Sequence, residues 1–397
     1  MNAREVFLTL LDTSLTDGTV RFQCNGESRL VGRCTAPPER CGDNLAVRVQ
    51  NDRVFSRTLS YGNLGFAESY MDGDFEVEGG KVAELLTLLL RNGIDRKMRR
   101  HPMLVLRAFL IQAFNRLRGN RRNVQYHYDV GADLFQTFLD RTLTYSCGYA
   151  EAPGDDLEQL QLNKLERICH KLELTPGDRL LDIGCGFGGL LIHAAKKYGT
   201  TGTGITISRV HCNGARAAVQ AAGLSHRITI ALNDHRQVTG EFDRVVSVGM
   251  MEHLPRSEYG AYFTNIGRVM TSKGRGLVHT IASNFRNDHD PFIQKYIFPG
   301  SAQPSLAEIA GHLEQHHLAI LDVENIVRHY AHTARAWLTR FRANAHLLDQ
   351  QKYNERFQRM WEYYLCCAIA GAEVSDSAVY QVLFAKDHAG VIQLQRI

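Results

Sequence analysis

The cysteines of this 397-residue sequence form no pattern that would bind a metal or build a disulfide framework. There are nine of them, an odd number, and none belongs to a CxxC pair. Zinc sites and small disulfide-rich domains normally show paired cysteines at short spacings. The sequence therefore predicts no metal site and favours a protein of the reducing cytoplasm.

Long apolar runs and a strong net charge are also missing. No run of apolar residues reaches the roughly 18 that a membrane-spanning helix needs, so none is predicted. The N-terminal segment MNAREVFLTLL lacks the basic start and the long apolar core of a secretion signal. A formal net charge of +4 gives no general reason to expect nucleic-acid binding.

Positive charge is nevertheless concentrated in one segment. Residues 96–128 contain nine lysines or arginines and no acidic residue. Apolar side chains recur among them at helical spacing from Met103 to Leu117. Such a helix could dock on anionic lipid, where each basic residue contributes about 1 kcal/mol. It could equally be a packed helix with a solvated basic rim, and this pattern alone leaves both interpretations open.

The first part of the chain predicts a small mixed α+β domain. GTVRFQC and LAVRVQN alternate like strands, and KVAELLTLLLRNG predicts a helix that ends at Gly93. The polar stretch RGNRRN, residues 118–123, marks a predicted domain boundary. We therefore predict an N-terminal domain over residues 1–122 and a second domain over residues 123–397.

In the second domain, apolar strands alternate with helices, which predicts an α/β fold with a parallel, doubly wound sheet. Its strands are predicted at RLLDIG, TGTGITIS, RITIALND, DRVVSVGM and GRGLVHTI. One long helical stretch, Thr333 to Ala372, precedes a last predicted strand at AVYQVLFAK. Ligands of such sheets bind beyond the carboxyl ends of the strands.

One of these strand ends carries two titratable groups. The stretch VSVGMMEHLP runs from an apolar strand into Glu252 and His253. The two side chains could bind a metal, act as acid and base, or cap a helix. A metal site is disfavoured, because there is no HExxH motif and no second pair to complete a ligand set. We expect Glu252 to lie at a ligand site and His253 to begin the next helix.

The glycine-rich stretch LDIGCGFGG follows the first strand of this sheet. Gly184, Gly186 and Gly189 fit the GxGxxG pattern of dinucleotide sites, which is weak evidence by itself. Those sites also need an acidic residue at the end of the next strand to bind the ribose. Thr206 and Ser208 stand there instead, so a nicotinamide cofactor is disfavoured.

A different spacing in the same loop points to another cofactor. Asp182, Gly184, Gly186 and Gly188 form D-x-G-x-G-x-G, which resembles the first motif of class I S-adenosylmethionine-dependent methyltransferases. Glycines let a ligand approach the backbone amides at the start of a helix. The zwitterionic end of S-adenosylmethionine could bind both these amides and the Asp182 carboxylate.

The stretch NVQYHYDVGADLFQTFLDRTLTYSCGY, residues 123–149, resembles a signature of the cyclopropane fatty acid synthase family, which includes the mycolic acid cyclopropane synthases. Further similar stretches are LDIGCGFGG, DRVVSVGMMEH, HTIAS and QKYIFPG, and LGFAESYMDGDFEV resembles the bacterial enzymes that act on phospholipids. The resemblance runs from about residue 60 to the C-terminus. It implies a class I methyltransferase Rossmann-like domain with a smaller N-terminal domain.

The resemblance also implies roles for individual residues. Positions that hold a bicarbonate ion in this family are matched by Glu252, Cys147, His279, Ile281 and Tyr330. Cys147 and Ile281 would offer backbone amides, and the other three would offer side chains. The ion so held would be the base of the reaction.

Positions beside S-adenosylmethionine are matched as well. They are Tyr145, Ser146, Asp182, Gly184, Gly186, Gly188, Thr206, Ser208, His211, Asp234 and His235. Two of them depart from the family pattern. His211 stands where the family commonly has glutamine, and His235 where tryptophan or tyrosine often lies against the adenine. A histidine can still form a hydrogen bond or stack at either position.

Together these features predict an enzyme that uses the methyl group of S-adenosylmethionine to cyclopropanate cis-unsaturated acyl chains of membrane phospholipids. Aromatic faces such as those of Tyr145 and Tyr330 would stabilise the carbocation that forms before ring closure. The predicted location is the cytoplasm, with the N-terminal domain and the basic helix docking on the inner face of the membrane. The resemblance alone implies a homodimer.

Three other functions stay open at this point. The first is a methyltransferase that leaves a methyl-branched or otherwise modified acyl chain. The second is an N-methyltransferase of small amines, and the third is a lipid-binding protein without catalytic activity. The presence of Asp182, Glu252, His279 and Tyr330 argues against the third.

Overall fold

The structure is a computed structural model, and it describes residues 2–34, 45–94, 97, 131–286 and 289–386. The predicted boundary after residue 122 and nearly all of the basic helix predicted over residues 96–118 lie outside the described residues. The helices span Ala3–Ser14, Arg53–Tyr61, Asn63–Met71, Val82–Arg91, Ala132–Phe138, Leu157–Lys171, Gly189–Tyr198, Arg209–Ala221, Tyr259–Val269, Pro291–Tyr296, Leu306–Gln315, Val327–Asn344 and Glu355–Glu373. The strands are β1 (Asp17–Cys24), β2 (Glu27–Cys34), β3 (Leu45–Val49), β4 (Phe75–Val77), β5 (Arg179–Ile183), β6 (Thr201–Thr206), β7 (Ile228–Leu232), β8 (Phe242–Val248), β9 (Met270–Ser283), β10 (Ala319–Asn325) and β11 (Ser377–Ala385).

The chain divides into two compact units that are not contiguous in sequence. The first unit comprises Met1–Asp129, Asp290–Pro299 and Ala345–Asp376. The second comprises Val130–His289, Gly300–Asn344 and Ser377–Ile397. The sequence predicts two contiguous domains, whereas the structure groups two later segments with the N-terminal unit.

The first unit contains a four-stranded sheet in the order β2-β1-β3-β4. The predicted strands at β1 and β3 are confirmed, and β2 pairs antiparallel with β1. Asn25 and Gly26 join these two strands with positive φ angles of 49° and 83°. An Asn-Gly turn of this kind matches the twist of a hairpin, and it is the sequence signal that identifies β2. Cys34, at the end of β2, is disulfide-bonded, which the scattered cysteines did not predict.

A long helix, Glu355–Glu373, packs against Val82–Arg91 and Asn63–Met71 in the first unit. The guanidinium of Arg359 lies 4.2 Å from the ring centroid of Tyr70. The sequence predicts one helical stretch from Thr333 to Ala372, and this prediction is wrong. Val327–Asn344 and Glu355–Glu373 are separate helices, because Asn354 begins the second by accepting a hydrogen bond from the Phe357 amide at 3.0 Å.

The second unit contains a seven-stranded sheet in the order β10-β11-β9-β8-β5-β6-β7. Strands β5 to β9 are parallel, as predicted. Strand β11 runs antiparallel between β9 and β10, so the sheet is mixed at this side. Two clusters of buried apolar side chains pack against this sheet. Leu180 and Leu181 are neighbours on β5, and Leu181 belongs to one cluster and Leu180 to the other. Because side chains alternate along a strand, the two clusters cover opposite faces of the sheet.

The order in which successive strands are added to the sheet reverses at β5, and that reversal positions the site. Strand β5 has β6 on one side and β8 on the other, and both pairs are parallel. The residues that follow β5 and β8 therefore meet at one edge, at the topological switch point where such sheets bind ligands. Asp182 and Glu252 belong to these two strand ends.

Candidate active site

The glycine loop after β5 leaves space for a ligand at the start of the helix Gly189–Tyr198. Gly184, Gly186 and Gly188 all have positive φ angles, of 82°, 52° and 83°. A Cβ at Gly184 would lie 2.9 Å from the Met250 side chain, so only glycine fits there without a shift. A Cβ at Gly186 would meet nothing within 4 Å. The loop is thus an open cradle of backbone beside a helix N-terminus.

Asp182, the acidic residue of this loop, is deeply buried. Its exposed fraction is 3%. Burial raises the pKa of its carboxyl to about 7, although the positive charge of Lys164 works in the opposite direction. A carboxylate of this kind is stabilised by any cation that binds beside it.

The end of β6 supplies two hydroxyl groups that also have local structural roles. Thr206 accepts a hydrogen bond from the Ser208 amide at 3.2 Å. Ser208 caps the helix Arg209–Ala221 and accepts from the His211 amide at 3.3 Å. The His211 ring packs edge-on against Phe187, with 4.9 Å between the centroids. Burial lowers the pKa of His211, so its ring is neutral at physiological pH.

Asp234 and His235 follow β7 and differ in how their polar atoms are satisfied. The Asp234 carboxylate receives two bonds from the Arg236 guanidinium, at 2.9 and 2.7 Å, and these hold the pKa of Asp234 at about 2. His235 is 6% exposed, and neither of its ring nitrogens has a hydrogen-bond partner among the described residues. Its ring meets Tyr262 edge-on at 5.6 Å. A buried imidazole with two unsatisfied nitrogens is a candidate for ligand contact.

Glu252 lies in a one-turn 3₁₀ helix, Met251–His253, just beyond β8. Its side chain is buried and accepts two hydrogen bonds: one from the Thr280 hydroxyl at 2.7 Å and one from the Ile281 amide at 3.1 Å. Burial raises the pKa of Glu252 to about 7, and both bonds oppose this rise. His253 is exposed and ends this turn, so the prediction that it begins the next helix is wrong.

The other residues of the predicted anion site converge on the same edge. His279 lies on β9 beside Val248 of β8, and its exposed fraction is 1%. The side-chain amide nitrogen of Gln381 lies 3.3 Å from His279 Nδ1. Since an amide nitrogen donates, the ring proton of neutral His279 lies on Nε2. Burial lowers the pKa of His279 to about 3, so the ring carries no charge at neutral pH.

The segment Tyr145–Ser146–Cys147 contains residues of both the predicted cofactor site and the predicted anion site. A Cβ at Gly249 would lie 3.7 Å from Ser146 Cβ, 3.7 Å from the Tyr145 carbonyl oxygen and 3.8 Å from Glu252 Oε1. Two predicted cofactor contacts and one residue of the predicted anion site therefore surround Gly249. Cys147 is buried, which raises the pKa of its thiol and makes it a poor nucleophile.

Tyr330 joins this region through the helix Val327–Asn344. Thr333, one turn later on that helix, accepts a hydrogen bond from the Gly148 amide at 3.0 Å. The Trp337 ring lies 5.2 Å from Tyr145 and 6.1 Å from Tyr330, measured between centroids. Among the residues that the structure describes, the buried Trp337 indole N–H has no hydrogen-bond partner. We call the rings of Tyr145, Tyr330 and Trp337 the aromatic wall.

Three buried polar residues of the site were missed by the sequence analysis. Thr280 holds Glu252 as described above. Lys164 donates to the Ser146 hydroxyl at 3.0 Å, and Gln161 donates to the Ser146 carbonyl at 2.9 Å. Lys164 and Gln161 lie one turn apart on the helix Leu157–Lys171. Lys164 falls on the apolar stripe of that helix, four residues from Leu160 and Ile168, and this position was the available signal.

The part of the chain that the structure describes lacks two kinds of feature. There, no group of three or more His, Cys, Asp and Glu side chains is placed to hold a metal ion. Across the same residues, no helix combines the length and the apolar character that a membrane crossing requires.

Comparison with known proteins identifies similar sequences and folds. Residues 115–382 match the family model described as mycolic acid cyclopropane synthetase. The cyclopropane-fatty-acyl-phospholipid synthase of Escherichia coli (strain K12) is 38% identical over 343 residues, which are 86% of this chain and 87% of that protein. The tuberculostearic acid methyltransferase UfaA1 of Mycobacterium tuberculosis is 33% identical over 347 residues, 83% of this chain and 80% of that one.

A solved structure is similar to part of the chain. The mycolic acid cyclopropane synthase CmaA1, crystallised with SAH and CTAB, is 30% identical and aligns with a TM-score of 0.59. The alignment covers 66% of this chain and 96% of that one. A similar fold has thus been solved in complex with SAH, the demethylated form of the predicted cofactor.

Proposed function

Because the chain belongs to the mycolic acid cyclopropane synthetase family and is an S-adenosylmethionine-dependent methyltransferase, we propose that it cyclopropanates cis-unsaturated acyl chains of membrane phospholipids. One observation carries this proposal. The Tyr145 carbonyl oxygen, the Ser146 Cβ and Glu252 Oε1 all lie within 3.8 Å of the position that a Cβ of Gly249 would occupy. Residues proposed for the cofactor and the residue proposed to orient the base thus surround one glycine, as a transfer followed by proton removal requires.

The residues at the switch point fit S-adenosylmethionine. The open backbone at Gly186 and the start of the helix Gly189–Tyr198 suit its carboxylate, and Asp182 suits its ammonium group. The unsatisfied nitrogens of His235 suit its adenine. When bound, the cofactor supplies a methyl group activated by a sulfonium. We further propose that Gly184, Gly188, Tyr145, Ser146, Thr206, Ser208, His211 and Asp234 line this pocket.

We propose that Glu252, His279 and Tyr330, with the backbone at Cys147 and Ile281, bind bicarbonate. The bound ion would supply the base for the proton that leaves the new methyl group. The donor chemistry fits a small anion, since His279 offers an Nε2–H and ionised Glu252 can accept the hydroxyl of bicarbonate. Glu252 is held in place by Thr280 and Ile281. The Ile281 amide would therefore be shared between Glu252 and the ion.

The aromatic wall suits a cationic reaction path. The Trp337 ring packs beside the rings of Tyr145 and Tyr330, two residues that we place at the site. Aromatic faces stabilise a nearby cation by roughly 0.5–2 kcal/mol each, more where water is excluded. Their apolar bulk also excludes water, which would otherwise trap the cation as an alcohol.

We also propose that the enzyme works at the cytoplasmic face of a membrane, as a homodimer. The sequence support is the basic, apolar segment 96–118, which suits anionic phospholipid. A phospholipid substrate requires such contact, because its acyl chain lies within the bilayer.

Labelled-methyl transfer to liposomes of cis-unsaturated phospholipid tests this function. We expect the wild-type protein to place label in the acyl chains and Glu252→Gln to be slower by about 100-fold or more, as for loss of a group that orients a base. The matched control is Glu314→Gln, which changes an exposed glutamate of the same unit and should keep the wild-type rate. An undiminished rate in Glu252→Gln would contradict the proposed site.

A second candidate function is favoured by one relative. The tuberculostearic acid methyltransferase matches this chain over 83% of its length. If this chain worked in the same way, the product would be a methyl-branched chain. A saturated branched chain forms only if the carbocation accepts a hydride from an added reductant such as NADPH, and its mass then exceeds that of the cyclopropane product by two hydrogens. Mass spectrometry of liposomes incubated with that reductant therefore distinguishes the two.

A further inference from the structure

Two backbone amides of the second unit donate to side chains of one neighbouring helix. The Gly148 amide donates to the Thr333 hydroxyl oxygen at 3.0 Å. The Ala150 amide donates to His329 Nδ1, also at 3.0 Å. His329 and Thr333 are four residues apart, so they lie on the same face of the helix Val327–Asn344. The segment of the two amides is therefore bonded twice to this face.

Both acceptor side chains are in the state that these bonds require. The Thr333 hydroxyl is fully buried and donates its own hydrogen to the His329 carbonyl oxygen at 2.8 Å. Its oxygen is thus left to accept from the Gly148 amide. Since His329 Nδ1 accepts from the Ala150 amide, the proton of the neutral ring lies on Nε2. Burial lowers the pKa of His329, which favours this neutral form.

The Tyr149 side chain, between the two bonded amides, is held as well. Its ring stacks on the His329 ring, with 4.1 Å between the centroids and 17° between the planes. The Arg167 guanidinium lies 4.4 Å from the Tyr149 ring centroid and donates twice to the Glu324 carboxylate, each time at 2.8 Å. Lys171 donates to the same carboxylate at 2.7 Å. The segment is thus held by side chains from two helices and from β10.

These contacts link two residues of the proposed anion site that are far apart in sequence. Cys147, whose backbone amide would bind the ion, directly precedes Gly148. Its thiol lies 3.9 Å from the Ile326 carbonyl oxygen, just before the helix begins. Tyr330, whose hydroxyl would bind the ion, directly follows His329. A site made of separate donors binds an anion more tightly when the donors are held in place before the ion arrives.

We propose that His329 and Thr333 are positioning residues of the anion site. The two hydrogen bonds that they accept hold the Cys147 amide and the Tyr330 hydroxyl at a fixed spacing for bicarbonate. This inference rests on the bicarbonate site proposed above. Loss of either bond leaves every group that contacts the ion, the cofactor or the acyl chain in the protein. The half-saturating concentration of bicarbonate should therefore rise, whereas the rate at saturating bicarbonate should stay the same.

The test is the bicarbonate dependence of labelled-methyl transfer to liposomes. Buffers are purged of carbon dioxide, the pH is fixed and S-adenosylmethionine is saturating. His329→Phe keeps a ring beside Tyr149 but removes the acceptor, whereas His329→Asn keeps an acceptor, because its Oδ1 takes the place of Nδ1. Thr333→Val removes the hydroxyl with little change of shape, and Thr333→Ser keeps it. His332→Phe, which changes an exposed histidine of the same helix, serves as the control.

We expect the half-saturating bicarbonate concentration to rise about 3- to 10-fold in His329→Phe and in Thr333→Val, the factor that one neutral hydrogen bond typically contributes. His329→Asn, Thr333→Ser and His332→Phe should stay close to the wild-type value. The maximal rate should be unchanged in all variants. Calorimetric affinity for S-adenosylhomocysteine should also be unchanged, and circular dichroism checks that each variant is folded.

Several results would overturn the inference. One is an unchanged half-saturating concentration in His329→Phe or in Thr333→Val, and another is an equal rise in the two variants that keep an acceptor. A third is a lower maximal rate with an unchanged half-saturating concentration, which indicates a merely structural role. If His329→Phe does not fold, the Thr333 pair decides in the same way, and the converse holds.

The wild-type protein separates this inference from the proposal on which it rests. A wild-type rate that does not depend on bicarbonate overturns the proposed anion site together with the inference. A bicarbonate-dependent wild-type rate with unaffected variants overturns the inference alone.

Discussion

Replacing Thr280 by valine would test how the protein controls the charge of Glu252. Thr280 is fully buried, and its hydroxyl donates to the Glu252 carboxylate at 2.7 Å. Valine has nearly the same shape but no donor, so the change removes one hydrogen bond and little packing. A hydrogen bond to a charged group contributes about 1.5–3 kcal/mol. Since one pKa unit corresponds to about 1.4 kcal/mol, the Glu252 pKa should rise by about 1–2 units from about 7.

The assay is the turnover number for methyl transfer to liposomes, measured from pH 6 to pH 9. S-adenosylmethionine must be saturating, so that titration of Asp182 does not limit binding. Ionised Glu252 is the active form in our proposal, so activity should be lost as the pH falls through the Glu252 pKa. We expect Thr280→Val to move this loss to higher pH by about 1–2 units. Thr280→Ser keeps the hydroxyl and is the matched control, with the wild-type profile expected.

Two results would refute this reasoning. One is an acidic limb at the same pH in Thr280→Val and in the wild type. The other is a shift of that limb to lower pH, because the lost hydrogen bond stabilised the ionised carboxylate and its removal can only raise the pKa.

Three further predictions concern stability and binding. Folding raises the Glu252 pKa from 4.5 to about 7, so the stability that this group contributes is present below pH 4.5 and is lost as the pH rises through 7. Between pH 5 and pH 8, the free energy of unfolding of Glu252→Gln in urea should therefore rise by about 3 kcal/mol relative to that of the wild type. Gly184→Ala should destabilise the protein by about 1–3 kcal/mol in the same assay, because of its φ of 82° and the close Met250 side chain; an unchanged midpoint would contradict the strained loop. Trp337→Phe should cost far less stability than the roughly 3–5 kcal/mol of Trp337→Ala, since the indole N–H has no partner to lose among the described residues; equal costs would contradict this expectation.

Much of the second unit could be predicted from the sequence because strands β5, β6 and β8 are apolar runs, each with a helix before the next strand. The rule that ligands bind at the carboxyl ends of parallel strands predicts a ligand site at Glu252, and the spacing of Asp182 before the glycines predicts a cofactor site at the end of β5. The structure brings both to one edge of the sheet. The resemblance to a known family supplied the residues that the rule does not cover, such as Tyr145 and Tyr330.

The parts that were missed depend on contacts between distant segments. Nothing in the local sequence shows that Lys164 lies under Ser146, because a lysine in a helix is normally on the surface. The hydrogen bond between Thr280 and Glu252 likewise joins residues 28 positions apart. The break between Val327–Asn344 and Glu355–Glu373 was also missed. The polar residues around Asn354 have fair helix propensity, and the local sign of the break is that Asn354 caps the start of the second helix. Strand β2 is different, since its Asn-Gly turn was visible in the sequence.

The central claim is that a methyl group added to a double bond loses a proton at the Glu252 site, and labelling with deuterium tests it directly. The measurement is the mass of liposome acyl chains after reaction with S-adenosylmethionine that carries a trideuterated methyl group. Ring closure removes one of the three deuterium atoms, so we predict acyl chains that keep two of them. Acyl chains that keep all three, or that carry no label while the cofactor is bound, would contradict the account.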